Sequence, residues 1–225
     1  MDGILVVDKP QGITSHDVVH RIRKTFAIKK VGHAGTLDPM ATGVLVVLLG
    51  KCTKSSASLT SEDKVYEAAL TLGCESDTGD IWGNLHRTGA DLNIPEDKIE
   101  DAFNKFLGET EQMPPMYSAV KFKGRKLYQL ARRGIKVELE PRKIHIKEIR
   151  VTRKDLPEIA FNLICSKGTY VRQICVDIGK LLGCGACLSS LRRTRSGRFT
   201  IESALPLSEI EMMDRVDLEK RICPV

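Results

Sequence analysis

Residues 32–43 read Gly32-His33-Ala34-Gly35-Thr36-Leu37-Asp38-Pro39-Met40-Ala41-Thr42-Gly43. Pro39 biases the backbone of Asp38 toward an extended conformation, and Gly32, Gly35 and Gly43 let another backbone or a ligand come close. An aspartate held this way can point into a cleft. Asp-Pro is also common in surface turns, and from these residues alone the turn is the better reading. On the N-terminal side, residues 3 to 7 read as a buried strand. Thr14-Ser15-His16-Asp17 then offers helix-start residues before Val18, Ile22 and Phe26, which share one face at helical spacing. On the C-terminal side, Val44 to Leu49 is a continuous apolar run closed by Gly50, and its length favours a strand buried on both faces over a buried helix.

Further along, Lys64 to Gly73 alternates, with Tyr66, Ala68, Leu70 and Leu72 on one side and Val65, Glu67, Ala69 and Thr71 on the other, as in a half-buried strand. Cys74 to Ala90 is rich in Gly and Asp and reads as a loop. Pro95-Glu96-Asp97-Lys98-Ile99 opens a helix expected to end at Gly108. Strands are expected around residues 143–152 and 158–166. Gly168-Thr169 precedes Val171, Ile174, Cys175, Ile178, Leu181 and Leu182, an amphipathic helix that Gly183 stops. With no internal repeat and no sustained βαβ rhythm, the chain reads as a mixed-sheet α/β or α+β domain.

The 225 residues, 42% hydrophobic and 28% charged, suffice for one substantial core. The N-terminus has no basic segment before its short apolar stretch, and no run approaches membrane-spanning length, so a soluble protein beginning near Met1 is expected. Seven cysteines, an odd number at irregular spacings, argue against a disulfide framework and for the cytoplasm. The net charge of +6 is modest, but its placement is informative. Lys121-Phe122-Lys123-Gly124-Arg125-Lys126, Arg132-Arg133, Arg142-Lys143 and Arg192-Arg193-Thr194-Arg195 all follow residue 120. Interleaved with Tyr117, Phe122 and Tyr128, they resemble a phosphate-tracking surface with stacking groups, although any one cluster alone is better read as a solvated face.

Several chemistries find no support. Gly50-Lys51 lacks the spacing and hydroxyl of a phosphate loop. Cys184 and Cys187 have metal-ligand spacing but no second pair. His16, His20, His33, His86 and His145 are scattered, and there is no dinucleotide fingerprint. Chemistry within reach of unaided side chains is therefore expected, and carboxylate catalysis at a sugar carbon is one such class.

Residues 32–43 resemble the signature of the TruB family of tRNA pseudouridine-55 synthases. The resemblance continues in Asp8-Lys9-Pro10-Gln11-Gly12, in Met116-Tyr117-Ser118-Ala119-Val120-Lys121, in Ser166-Lys167-Gly168-Thr169-Tyr170-Val171-Arg172, and in Leu182-Gly183-Cys184-Gly185 leading to Leu191-Arg192-Arg193, in family order over about 200 residues. It implies an α/β (α+β) fold with a mixed, mainly antiparallel sheet of the pseudouridine synthase type, flanked by helices and carrying an RNA-binding insertion. The implied catalytic domain spans residues 1–205, with the insertion at about 112–142, and 206–225 is expected as a short C-terminal tail where bacterial members commonly carry a further RNA-binding domain. Such a loss would make binding more salt-sensitive.

By the same resemblance Asp38 matches the essential aspartate, which supports breaking the N1 to C1′ bond of a uridine and rejoining the base through C5, with no cofactor and no metal. A carboxylate working in a cleft that excludes water needs a cationic neighbour to stay ionised, and Arg172 matches that partner. In the first turn of its helix a cation is disfavoured unless an anion faces it. Tyr170 matches the tyrosine that stacks on the base and is a proposed proton carrier. Tyr66 matches a second base contact, Leu191 a pocket wall, and His33 the residue that fills the space left by the flipped base. Lys9 and Pro10 match a motif that supports the active-site loop. Lys121, Lys123, Arg125, Lys126, Arg132 and Arg142 fall in or at the edge of the RNA-gripping insertion. The expected partner is the T-arm stem-loop of tRNA, with no membrane and no obligate protein partner. The alternatives are a non-catalytic tRNA-binding or folding module and a guide-dependent pseudouridine synthase of the same superfamily.

Overall fold

In the computed structural model, which describes residues 1–135 and 137–224, the chain opens with β1 (Gly3–Lys9) and α1 (Ser15–Thr25). Thr14 caps α1: its hydroxyl accepts from Asp17 N, and the Asp17 carboxylate accepts from Thr14 N at 2.8 Å. Such a cap is worth about 1 kcal/mol. Next come β2 (Val31–Ala34), β3 (Thr42–Leu49), α2 (Ser56–Thr60), β4 (Lys64–Leu72), β5 (Cys74–Ser76), β6 (Leu85–Arg87) and α3 (Glu96–Asn104). They are followed by β7 (Gly108–Gln112), β8 (Lys121–Phe122), β9 (Arg125–Lys126), α4 (Leu127–Ala131), β10 (Arg142–Asp155), β11 (Glu158–Cys165) and α5 (Val171–Leu182). The chain closes with β12 (Ala186–Ser196), β13 (Phe199–Thr200), β14 (Leu205–Pro206), α6 (Leu207–Met212) and α7 (Arg215–Arg221).

These elements form two units, one holding Met1–Glu67 with the chain from Leu191 onward, the other Ala68–Ser190. In the first unit β3 pairs antiparallel with β1, from Gly3↔Leu49 to Lys9↔Gly43, and with β2, from Val31↔Leu49 to Ala34↔Val46. It also pairs parallel with β12 at Arg192↔Thr42 and Arg193↔Gly43. The continuous apolar run is thus a strand buried on both faces. Val44, Val46 and Leu48 join Ile4, Val6, Ala34, Leu59 and Phe199 in one cluster, while Leu45, Val47 and Leu49 on the other face are also buried. Burying each such side chain contributes about 1.5–3 kcal/mol.

The stretch after residue 205 is folded. Leu207, Ile210 and Leu218 are buried, Asp214 caps α7 by accepting from Asp217 N at 2.8 Å, and Cys223 exchanges two backbone hydrogen bonds with Ile4, both 2.9 Å.

In the second unit β10 lies between β7 and β11, antiparallel to both. Strands in both units pair mainly antiparallel, with β1–β14 and β3–β12 parallel, so the fold is α+β with a mixed sheet. Two expectations are corrected. Cys74–Ala90 is a hairpin, β5–β6, whose turn is tied by Asp77 accepting from Asn84 N and Nδ2, both 2.8 Å. The second helix of the sequence reading, α3, ends at Asn104, because Phe103 is its last buried residue and Gly108, at φ +88°, already begins β7.

The insertion leaves and returns at one point of the sheet, since Gln112 and Arg142 are direct register partners. Within it β8 and β9 are joined by Lys123-Gly124, both at positive φ (47° and 83°), the left-handed pair that a two-residue hairpin turn requires.

Candidate active site

Asp38 is half-buried in the loop that joins β2 to β3, and its neighbours in the chain are held through their main-chain groups. Ser15, buried at the start of α1, accepts from Leu37 N at 2.8 Å and donates to Leu37 O at 3.1 Å. Lys9 Nζ donates to Pro10 O (2.8 Å), Ile13 O (2.7 Å) and Pro39 O (3.5 Å). Gln11 Nε2 donates to Met40 O at 3.2 Å, and Gly12 N to Pro39 O at 2.9 Å. From the other side the guanidinium of Arg193, 1% exposed, reaches Gly35 O (3.0 Å), Thr36 O (3.4 Å) and Val44 O (2.7 Å). The loop itself turns through Ala41 N donating to Asp38 O at 3.0 Å. A carboxylate is thereby presented from a main chain clamped before and after it, the pre-organisation that a reacting group requires.

Lys9 thus bonds to the main chain at both Pro10 and Pro39, the residue that follows Asp38. The Lys9 ammonium is fully buried. Burial lowers its pKa to about 8, with Asp38 and Asp17 pulling it up and Arg193 pushing it down. An unfolded lysine holds its proton to 10.5, so between about 8 and 10.5 the unfolded chain binds a proton that the folded chain has released. The contribution of this group to stability therefore rises with pH across that window. Lys9→Met, which leaves carbonyls without their donor, is expected to cost about 1–3 kcal/mol at neutral pH. The gap between wild type and variant should widen as pH rises from about 7.5 to about 9.5. Urea unfolding at several pH values measures this, and a gap that narrows or stays constant would contradict a lowered Lys9 pKa.

His33 lies on β2, its carbonyl accepting from Ser56 Oγ at 3.3 Å. Tyr66 on β4 and Leu191 on β12 are each 8% exposed, nearly core residues, as their apolar settings suggest. The Arg192-Arg193 pair departs from the expected phosphate-tracking surface. Arg193 is buried in the loop clamp, and Arg192 forms a two-pronged pair with Asp8 at 2.8 and 3.3 Å. The Arg193 charge is buried, while the Arg192–Asp8 pair remains partly exposed.

In the second unit Tyr170 and Arg172 stand at the start of α5. Arg172 is 4% exposed, and its guanidinium donates to Thr78 O (2.7 Å) and Tyr117 O (2.8 Å) with Nε 3.7 Å from Asp80 Oδ2. Within this unit Asp80 is one anion that faces Arg172 at the helix start. Asp80 is itself oriented by accepting from Thr78 Oγ1 (2.8 Å) and Trp82 N (3.0 Å). Gln112 pairs with the Tyr170 peptide groups, accepting from Tyr170 N at 2.8 Å and donating to Tyr170 O at 3.0 Å. Sequence reading does not single out Asp80 or Gln112, the partners of Arg172 and Tyr170 within this unit. Asp80 was hidden in a segment read as loop, and Gln112 is an uncharged residue at the edge of the insertion.

Lys121, Lys123, Arg125, Lys126, Arg132 and Arg142 are all exposed. Lys126 and Arg132 lie 5.7 and 5.5 Å from the centre of the Tyr128 ring, and Lys123 lies 5.5 Å from that of Phe122. Cations set over aromatic faces on the β8–β9 hairpin and the adjoining α4 suit a polyanion that also offers rings to stack. Of the Cys184 and Cys187 thiols, Cys187 Sγ is 3.0 Å from Cys74 Sγ, and Cys184 Sγ is directed at Gly185 O, 3.4 Å away. Among the described residues no helix is long and apolar enough to cross a membrane.

Residues 23–171 match the family described as TruB family pseudouridylate synthase (N terminal domain), and residues 172–225 match the tRNA pseudouridylate synthase B C-terminal domain. The tRNA pseudouridine synthase B of Syntrophotalea carbinolica is 51% identical over 97% of this chain and 72% of its own length. That of Opitutus terrae is 48% identical over 100% of this chain and 93% of its own. Among solved structures, a chain of a Cbf5-Nop10-Gar1 complex superposes with a TM-score of 0.76 at 33% identity, over 99% of this chain and 60% of that one.

Proposed function

Because the chain belongs to the TruB family of pseudouridylate synthases, we propose that it isomerises uridine 55 in the T loop of tRNA, with Asp38 as the catalytic carboxylate. The protein is a tRNA pseudouridine synthase. In the reaction the bond from N1 to C1′ breaks, the base turns, C5 bonds to C1′, and the C5 proton is lost while N1 gains one. Asp38 supports bond breaking at C1′, Arg172 is its cationic partner, and Tyr170 stacks on the base and stands by for the proton at C5. Tyr66 and Leu191 wall the base pocket.

A uridine stacked within a folded T loop must first be extruded, at a cost of about a few kcal/mol. His33 fills the space it leaves. The exposed cations and aromatic rings between Gln112 and Arg142 grip the T arm and hold the RNA during that step. We place the reaction in the cytoplasm, on the T arm alone, without a guide RNA or protein partner.

The observation that most supports this reading is the clamped loop: Ser15, Lys9, Gln11 and Arg193 all spend their hydrogen bonds on the main chain around one half-buried carboxylate. A surface turn has no use for that arrangement. Purified protein incubated with an unmodified tRNA transcript and nothing else should convert position 55 to pseudouridine. No product, product at another position, or a requirement for added guide RNA would each refute the proposal.

A further inference from the structure

Tyr170 occupies the cap position of α5 with extended backbone (φ −101°, ψ 105°), yet its own side chain makes no capping bond. The turn that precedes it is exposed at Lys167 and Gly168, and Gly168 has φ +80°. The helix holds Tyr170 on its carbonyl side, the oxygen accepting from Gln173 N (3.1 Å) and Ile174 N (3.2 Å), and leaves the N–H to be fixed from elsewhere. Here both main-chain groups of Tyr170 are paired with one side-chain amide, that of Gln112, which is 5% exposed. The amide acts as one residue of a neighbouring strand would, presenting an acceptor to N–H and a donor to C=O together. The amide reinforces the carbonyl that the helix already holds and adds the hold on the N–H, so that φ as well as ψ is fixed at residue 170, and with them the bond that aims the tyrosine ring.

We infer that Gln112 is a positioning residue for the reaction: through its two-way pairing with the Tyr170 peptide it sets where that ring stands, and it ties the ring to the root of the insertion. The inference rests on the function proposed above. Its second half follows from topology. Gln112 is the last residue of β7 and the register partner of Arg142, so it stands where the insertion leaves and rejoins the sheet. A second tie runs from the same excursion, Tyr117 O accepting from Arg172 at 2.8 Å. Two contacts thus connect the segment proposed to hold RNA with residues 170 and 172. Only glutamine supplies this pairing at this reach: asparagine is a methylene shorter, methionine has neither strong group, and ionised glutamate keeps the acceptor but loses the donor.

The test compares wild type, Gln112→Met and Gln112→Glu in single-turnover pseudouridine formation with enzyme saturating over tRNA. For Gln112→Met the rate constant should fall by about tenfold or more, as expected when a reacting group is misplaced by about 1 Å. The tRNA dissociation constant and binding stoichiometry should stay within about twofold of wild type. A merely structural role would lower stoichiometry through unfolded protein and leave the saturated rate constant alone. Gln112→Glu adds a signature of the pairing itself, because a protonated carboxyl offers the same donor and acceptor as the amide. Its rate constant relative to wild type should climb as pH falls from about 8 to about 5.5, while the ratio for Gln112→Met stays flat. A wild-type rate constant in Gln112→Met, or a flat ratio in Gln112→Glu, overturns the inference alone. Absence of product from wild type overturns the proposed function and this inference with it.

Discussion

Asp38→Asn should abolish pseudouridine formation, lowering the single-turnover rate by on the order of 10³-fold or more, and should leave tRNA binding largely intact. The exchange is isosteric, and the bonds that shape the loop go to main-chain atoms: Leu37 to Ser15, Pro39 O to Lys9, Met40 O to Gln11, Gly35 O and Thr36 O to Arg193. The fold and the RNA-facing surface therefore survive the loss of one negative charge. What changes is the group offered to C1′, from a carboxylate to a neutral amide that cannot take its place. One electrostatic consequence is built in. Asp38 is the larger of the two carboxylate influences that hold the Lys9 pKa up at about 8, so in the variant Lys9 should lose its proton at lower pH than in wild type. Binding and turnover measured side by side decide the matter. Parallel loss of both, or turnover near wild type, would end the catalytic assignment and favour a binding module.

How much of this was legible in sequence depends on whether a residue acts on its neighbours in the chain or on distant ones. β1, α1, β3 and α5 show themselves because burial imposes a run or a period, as in Val44 to Leu49, and because caps such as Thr14 and Gly183 bond locally. The β5–β6 hairpin leaves no such mark, since Leu85, His86 and Arg87 are all exposed and nothing selects their alternation. The same divide runs through the site. The glycine and proline around Asp38 by themselves favour a surface turn, and only the family motif singles that residue out. The side chains that hold Gly35, Arg172 and Tyr170 act from far along the chain: Arg193 on Gly35, Asp80 on Arg172, Gln112 on Tyr170. Arg193 was misread for a physical reason, because a buried arginine satisfied by carbonyls looks, in sequence, like one more member of a basic surface cluster.

Gly43→Ala is the second large effect expected, and it comes from packing. Gly43 has φ +100°, a conformation that costs a residue with a Cβ about 1–2 kcal/mol. A Cβ there would lie 2.2 Å from Arg193 O, 2.8 Å from Arg193 N and 2.9 Å from Arg193 C. All three are backbone atoms of the strand paired in register with Gly43, so no rotamer change relieves the overlap, and overpacking of this kind costs about a further 1–3 kcal/mol. β12 must move away from β3. That movement pulls the Arg193 guanidinium off Val44 O, Gly35 O and Thr36 O, and so loosens the loop that presents Asp38. The variant should melt at least about 6 °C below wild type and should lose activity even where it remains folded. Gly12→Ala is the control, because Gly12 also has positive φ (+94°) but nothing within 4 Å of the added carbon, leaving only the conformational cost. If the two variants melt together, close contact between β3 and β12 is not what requires glycine at position 43.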